Sequence, residues 1–269
     1  MDAILVVKEE FRRLLKARAR TLGLTKGAIE VLVDHADRPI VARAGSRVGG
    51  TEDCSDYVRV LVQGAVRMEC RYPEVESTTM QFLGSGDFLC VASPEPHMRC
   101  RVSVVAHSDV TIVSVTRAHV LEAMERMPGA NVSRLTSWAF VASQRVLYRK
   151  MLLLRCPLRQ RIVSEFVALV PRFGRQMDGG WLIDLDLTHQ DVADLVIASR
   201  ANVCRAIGEL TNEGSIGREG RRYRIAQRLV GVSRDASDTA NTGSGVSEGT
   251  RPSRKATVGG LASSPWRTS

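Results

Sequence analysis

One stretch constrains this chain more than any other: LTHQDVADLVIASRANVCRAIGELTNEGSIGREGRRYRI, residues 187–225. Thr188, with Asp191 three positions later, makes a capping box that opens a helix, Asp standing in for the longer Glu. Val192, Leu195 and Val196 fall at i, i+3 and i+4 and give that helix one apolar face. Ile197-Ala198 is a turn, and Ser199 is a good N-cap for a second helix. Val203, Ile207 and Leu210 form its buried side, which leaves Arg200, Asn202 and Arg205 facing outward. Gly214 ends the helix, Ile216 starts a strand, Glu219-Gly220 turns, and Arg221 to Ile225 returns. A short helix presenting Arg and Asn, followed by a basic hairpin, suits a DNA major groove and its flanking phosphates. The plainer alternative is a small helical subdomain whose basic face is only solvated.

The rest of the composition agrees with a polyanionic partner. The 269 residues carry a net charge of +9 and a pI of about 9.7, which favours nucleic acid over a membrane surface. No run approaches the roughly 18 apolar residues of a membrane span. The start, MDAILVVKEEFRRLLKAR, has acids beside a short apolar run and no small-residue cleavage site, so a signal peptide is not expected. Six scattered cysteines without a Cys-x-x-Cys pair argue against a disulfide framework or a structural zinc, and for the cytoplasm. No nucleophile elbow, phosphate loop or His-Glu-x-x-His motif is present, so no catalytic residue and no enzyme is expected. His35, His97, His107, His119 and His189 do not sit at metal spacing. His97-Met98-x-Cys100 is the one mixed soft-ligand cluster, and such loops are usually only loops. No metal and no cofactor are expected.

Taken in order, residues 1 to about 35 read as helical. From Pro39 to Val115 the pattern turns to period two, with strands at 57–62, 65–70, 78–83, 101–106 and 110–115, Gly64 between the first two, and Gly84-Ser85-Gly86-Asp87-Phe88 after the third. Strands this short suggest a small barrel or sandwich. A short helix from Thr116 closes at Pro128. A long helix follows, with Leu135, Trp138, Ala142 and Val146 along a coiled-coil-like seam. At 1.5 Å per residue its 25 or so residues span ~37 Å and overhang so small a domain, which favours pairing with a second copy. Cys156-Pro157 breaks it as a hinge. Residues 231–269, rich in Gly, Ser and Thr, are expected to be a disordered tail.

Thr188-x-Gln190-Asp191-x-Ala193-Asp194-Leu195, Ser199-Arg200-x-x-Val203-x-Arg205 and Glu213-Gly214-x-Ile216 together resemble the winged helix of the Crp/Fnr transcription regulators. The strand order, Gly64, Gly86-Asp87-Phe88 and Val102-x-Val104-x-Ala106 resemble their cyclic-nucleotide-binding β-roll more loosely. The resemblance implies an α+β fold: an N-terminal helical segment and β-roll (1–128), a dimerisation helix (129–155), a winged helix–turn–helix (156–230) and the tail (231–269). It implies double-stranded DNA, a second copy of the chain and RNA polymerase as partners, without a membrane. Arg200, Asn202 and Arg205 would read bases, with Ser199 capping their helix, and Thr188, Gln190, Arg221 and Arg222 would hold phosphates. Family members commonly carry an acid after the Ser-Arg pair, where this chain has Ala201. Members that bind a cyclic nucleotide follow Gly-Asp-Phe with a Gly-Glu pair and place an Arg-Ser pair before the Val-x-Ala strand. Here those positions hold Cys90-Val91 and Cys100-Arg101, so independence from cyclic AMP is expected. The Fnr branch clusters N-terminal cysteines around iron–sulfur; here the first is Cys54 and nothing clusters. Cys204, beside Arg205, is a small filler at the DNA face or, alternatively, a redox brake.

Overall fold

A computed structural model describes residues 3–50, 56–71, 77–89 and 101–230. The chain begins with two helices, α1 (Ala3–Leu22) and α2 (Lys26–Asp34), the second capped by the Thr25 hydroxyl, which accepts from the Ala28 N–H. Seven strands follow: β1 (Ile40–Ala42), β2 (Arg47–Gly50), β3 (Tyr57–Gln63), β4 (Ala65–Arg71), β5 (Thr78–Gly84), β6 (Arg101–Ala106) and β7 (Val110–Thr116). They form two antiparallel sheets, ordered β1-β7-β3 and β2-β6-β4-β5. Leu61, Val66, Leu83, Val104 and Ile112 fill the space between the sheets. Successive residues of β3 and β7 point to opposite faces, so Val60, Val62, Val113 and Val115 pack against Phe11 and Leu15 of α1 and Ile29 and Val33 of α2. Burial on both faces is why β3 carries the unbroken apolar run Val60-Leu61-Val62. The β3–β4 turn rests on Gly64, whose φ is +90° and whose absent Cβ would lie 2.2 Å from the Asp109 carbonyl oxygen.

Helix α3 (Arg117–Glu125) is capped by Thr116, whose hydroxyl accepts from the His119 N–H. After Pro128 comes the long helix α4 (Gly129–Arg155), bounded as the sequence indicates. The seam expected on it needs correction. Leu135 points inward, lining an apolar cavity of about 70 Å³ with Phe11, Leu15 and Phe88. Trp138 meets Phe88 edge-on, 6.2 Å between ring centroids. Ala142 and Val146 lie half-buried on the same stripe. The helix carries a second apolar stripe, and that is the exposed one: Phe140, Leu147 and Leu154 at every seventh position, flanked by Val141, Tyr148 and Met151. Heptad spacing alone does not say which of two stripes the chain covers itself.

The C-terminal unit comprises α5 (Leu158–Phe173), β8 (Gly174–Met177), β9 (Gly180–Ile183), α6 (His189–Val196), α7 (Arg200–Asn212), β10 (Ile216–Glu219) and β11 (Arg222–Ala226). Its antiparallel sheet runs β10-β11-β9-β8. Ile162 and Phe166 of α5, Val192 and Leu195 of α6, and Val203 and Ile207 of α7 share one core. Phe82 and Ala65 of the roll belong to that same core.

A second correction concerns the cysteines. Cys70, on β4, is disulfide-bonded, while Cys156 and Cys204 are free, so its partner lies outside the described residues. The cyclic-nucleotide expectations at Cys90, Val91 and Cys100, the His97-Met98-x-Cys100 cluster, Cys54 and the tail 231–269 also lie outside the described residues.

Candidate nucleic-acid interface

The N-terminus of α6 is closed by the expected capping box. The Thr188 hydroxyl accepts from the Asp191 N–H at 3.1 Å, and the Asp191 carboxylate accepts from the Thr188 N–H at 2.8 Å. The Thr188 O–H donates to the same carboxylate at 2.6 Å. Both Thr188 donors are therefore used within the cap, and the residue shapes the site rather than reaching out of it. The chain then turns through Ile197, the one non-glycine residue with positive φ among the described residues (φ 53°, ψ 63°). The Arg161 guanidinium holds this turn, donating to the Val196 carbonyl at 2.9 Å.

Ser199 caps α7, its hydroxyl accepting from the Asn202 N–H at 3.3 Å. Val203, Ala206, Ile207 and Leu210 face the core, so the helix is anchored on one side. Arg200, Ala201, Asn202, Cys204 and Arg205 are all exposed on the other. That is the outward face expected of a helix that reads base edges.

The wing folds back over the start of α6. Gly220, at φ +62°, makes its turn. Arg218 donates to the Gly220 carbonyl at 2.7 Å, lies 5.8 Å from the Tyr223 ring centroid, and reaches His189 Nε2 at 3.2 Å. An arginine can only donate, so this His189 nitrogen accepts and the ring is neutral. Burial, then the charges of Arg218 and Arg200, hold the imidazole below its ordinary range. Thr188, His189, Gln190, Arg200, Arg218 and Arg221 together line a concavity of about 390 Å³. A helix N-terminus with three guanidiniums around it is an anion seat.

Four of the expected phosphate or base contacts, Thr188, Gln190, Arg200 and Arg221, thus meet at one place. Arg222 does not join them: it pairs with Asp184 at 2.7 Å and Asp186 at 3.1 Å. Arg221 lies in the turn and Arg222 is the first residue of β11, and the two side chains part there. Sequence reasoning missed His189 and Arg218. The signal was present, since the basic hairpin begins at Arg218 and His189 directly follows the cap.

Residues 160–229 match the family model for the Crp-like helix-turn-helix domain. The global nitrogen regulator of Synechococcus elongatus is 30% identical over 164 residues, covering 59% of this chain and 72% of that protein. The chain belongs to the Crp/Fnr family. A CRP-like cAMP-activated global transcriptional regulator of Mycobacterium tuberculosis is 24% identical over 215 residues, covering 76% of this chain and 90% of the relative. Among solved structures, FixK2 from Bradyrhizobium japonicum shares the fold at a TM-score of 0.58 and 19% identity, covering 79% of this chain and 99% of that one. A cyclic nucleotide-binding domain containing protein from Listeria monocytogenes does so at 0.62 and 12%, covering 80% and 98%. The Crp/Fnr relatives are transcriptional regulators with a helix–turn–helix DNA-binding domain, and none of these named ones is an enzyme. Among the described residues no helix is long and apolar enough to cross a membrane.

Proposed function

We propose that this protein is a homodimeric, sequence-specific transcription regulator of the cytoplasm that binds an inverted-repeat operator without requiring cyclic AMP. The observation that carries the reading is the exposed row Arg200, Asn202 and Arg205 on α7, set beside the basic concavity of Arg200, Arg218 and Arg221. Arg200 and Arg205 suit bidentate contact to guanine, and Asn202 suits adenine. Ala201 cannot accept from cytosine N4, so one position of the half-site is relaxed. RNA polymerase is the partner that such a regulator addresses. The chain divides by role into the roll with its N-terminal helices (1–128), the pairing helix (129–155), the DNA-binding unit (156–230) and the tail (231–269).

Dimerisation is supported by the outer stripe of α4. Phe140, Leu147, Tyr148, Met151 and Leu154 are each more than half exposed on a helix of 27 residues. Contiguous apolar surface of this kind marks a partner, and heptad spacing marks a second helix. Two copies joined there present their α7 helices to successive major grooves, which an inverted repeat matches. Independence from cyclic AMP rests on the sequence: Val91 stands where a ribose acceptor is needed, and an unpaired buried hydroxyl costs ~1–3 kcal/mol.

In-vitro selection with the purified protein is expected to return an inverted repeat containing guanine. Enrichment of no sequence over random DNA would overturn the assignment. Calorimetry with cyclic AMP, beside DNA titrations with and without it, is expected to show no gain. Micromolar binding that raises operator affinity tenfold would refute the cyclic-AMP part alone. A redox-gated version rests on Cys204, which is free and exposed on the recognition face. It requires peroxide-sensitive DNA binding that Cys204→Ser abolishes.

A further inference from the structure

Packing of α2 against α3 brings His35, at the C-terminal cap of α2, beside His119 and Glu122 of α3, which lie far from it along the chain. One donor atom from each lies within 4.8 Å of the others. The expectation that the histidines do not sit at metal spacing holds along the sequence and fails in space. The two imidazoles stack, 4.0 Å between centroids and 25° between planes.

The hydrogen bonds around the cluster prepare it for a cation. His35 Nδ1 lies 3.0 Å from the Val31 carbonyl oxygen. A carbonyl only accepts, so this nitrogen carries the proton and Nε2 keeps its lone pair. His119 Nδ1 lies 2.8 Å from the Thr116 hydroxyl, and in the tautomer that donates to this oxygen Nε2 is left for a ligand bond. Glu122 Oε1 accepts from Arg126 at 2.6 Å, which fixes the carboxylate and leaves its second oxygen. Each ligand is thus oriented by a neighbour, as metal ligands characteristically are. His35 is exposed, with His119 and Glu122 half-buried, so an ion has an entry path and a position open to water.

We infer that His35, His119 and Glu122 form a site for one divalent transition-metal ion of the zinc class. Two imidazoles and a carboxylate suit Zn2+, with ligand distances of ~2.0–2.1 Å and donors about 3.3 Å apart in a tetrahedral site. Donor atoms now up to 4.8 Å apart must close by roughly 1.5 Å or less, which turning the exposed His35 ring and the Glu122 side chain supplies. The bound ion ties the end of α2 to the first turns of α3. Ala28 and Val31 of α2 already pack there on Ala123 and Met127, directly before α3 gives way to α4. This site is independent of the DNA face.

Full-length protein without an affinity tag is stripped with chelator and titrated with ZnCl2 by calorimetry, and the zinc-loaded form is measured by X-ray absorption. One equivalent per chain, a nitrogen/oxygen shell with imidazole scattering, and a thermal midpoint that rises with Zn2+ are expected. His119→Ala and Glu122→Gln weaken binding at least about tenfold while the circular dichroism spectrum without metal is unchanged. A sulfur shell in the wild-type absorption spectrum would mean that cysteines take the ion and would overturn the proposal without recourse to any variant. Affinity unchanged in a folded His119→Ala protein would overturn it as well.

Discussion

The Ile197 turn permits a prediction whose sign runs against habit. Ile197 sits at φ 53° and ψ 63°, a left-handed conformation that a β-branched residue seldom adopts. The penalty for an L-residue with a Cβ there is ~1–2 kcal/mol. Replacing Ile197 by Gly relieves it but also removes a side chain that is 61% exposed, hence partly packed. The comparison with Ile197→Ala cancels that loss, because both variants discard the same contacts. What separates them is the left-handed penalty, kept by Ala and absent in Gly, less the ~0.4–1 kcal/mol by which Gly enlarges the freedom of the unfolded chain. The balance is roughly 0–1.6 kcal/mol in favour of Gly, centred at about 0.8. At an ordinary helix position Gly is worse than Ala by a similar amount. Urea unfolding of the two variants measures the difference through the midpoint, provided the slope m is the same in both. Ile197→Ala more stable than Ile197→Gly would mean that the turn between α6 and α7 is not held left-handed.

Three further outcomes follow from the same geometry. Arg221→Ala and Arg218→Ala should each weaken operator and random DNA alike and lower the salt slope by about 1; Arg222→Ala should do so less, because Asp184 and Asp186 already hold that guanidinium. His189 is held below its ordinary range in the free protein, whereas a phosphate in the concavity favours its protonated form; the complex therefore takes up a proton, affinity rises by at most about tenfold per unit as pH falls from the raised value in the complex to the lowered value of the free protein and levels off below it, and His189→Gln flattens the profile in anisotropy titrations. Lys150 donates to the Leu195 carbonyl at 3.1 Å and to Glu165 at 3.5 Å, so Lys150→Met should cost ~1–3 kcal/mol in denaturant unfolding. Burial lowers the Lys150 pKa from 10.5. The unfolded chain therefore binds the more protons between the lowered value and 10.5, and this residue's contribution to stability rises with pH through that window in the wild type and is missing from the variant.

Where the determinants are local, the sequence already shows the structure. Thr188 with Asp191, and Ser199 with the Asn202 N–H, fix the starts of α6 and α7 within a few residues of chain, and both helices begin where these caps place them. The consecutive strands β3 and β4, which belong to different sheets, are legible from period two and from Gly64 between them. The short strand β8 is not, because Gly174–Met177 is a mostly polar edge segment that takes its strand form from pairing with β9. β1 and β2 escape notice as separate strands because they are short, three and four residues, and sit at the edges of their sheets. α5 starts at Leu158, directly after Pro157, since proline is well placed just before a first helical turn. The seam on α4 and the partition of Arg221 from Arg222 depend on which neighbour covers which face. That is tertiary information, as is the meeting of His35 with His119.

The same distinction bears on how the roll and the recognition helix communicate. Cys156-Pro157 reads as a hinge, yet the two units are joined by more than a linker. Phe82 of β5 is buried within the core of the DNA-binding unit. His107 Nε2 lies 2.6 Å from the Asp186 carbonyl, just before the α6 cap. Asp87, in the Gly-Asp-Phe turn, accepts from Arg172 of α5 at 2.6 Å and Arg18 of α1 at 3.3 Å. Glu165 of α5, almost fully buried, faces both Arg149 and Lys150 of α4, and Lys150 reaches on to the C-terminal end of α6. A buried carboxylate against two cations is costly to separate, since the charge left behind has no water to replace its partner. Rotation of the DNA-binding unit therefore requires these contacts to break together, and packed contacts of this kind exchange between discrete arrangements rather than yielding gradually. A signal that moves α4 or β5 acts on α6 by direct contact, and α7 follows because Leu195 and Val203 share one core.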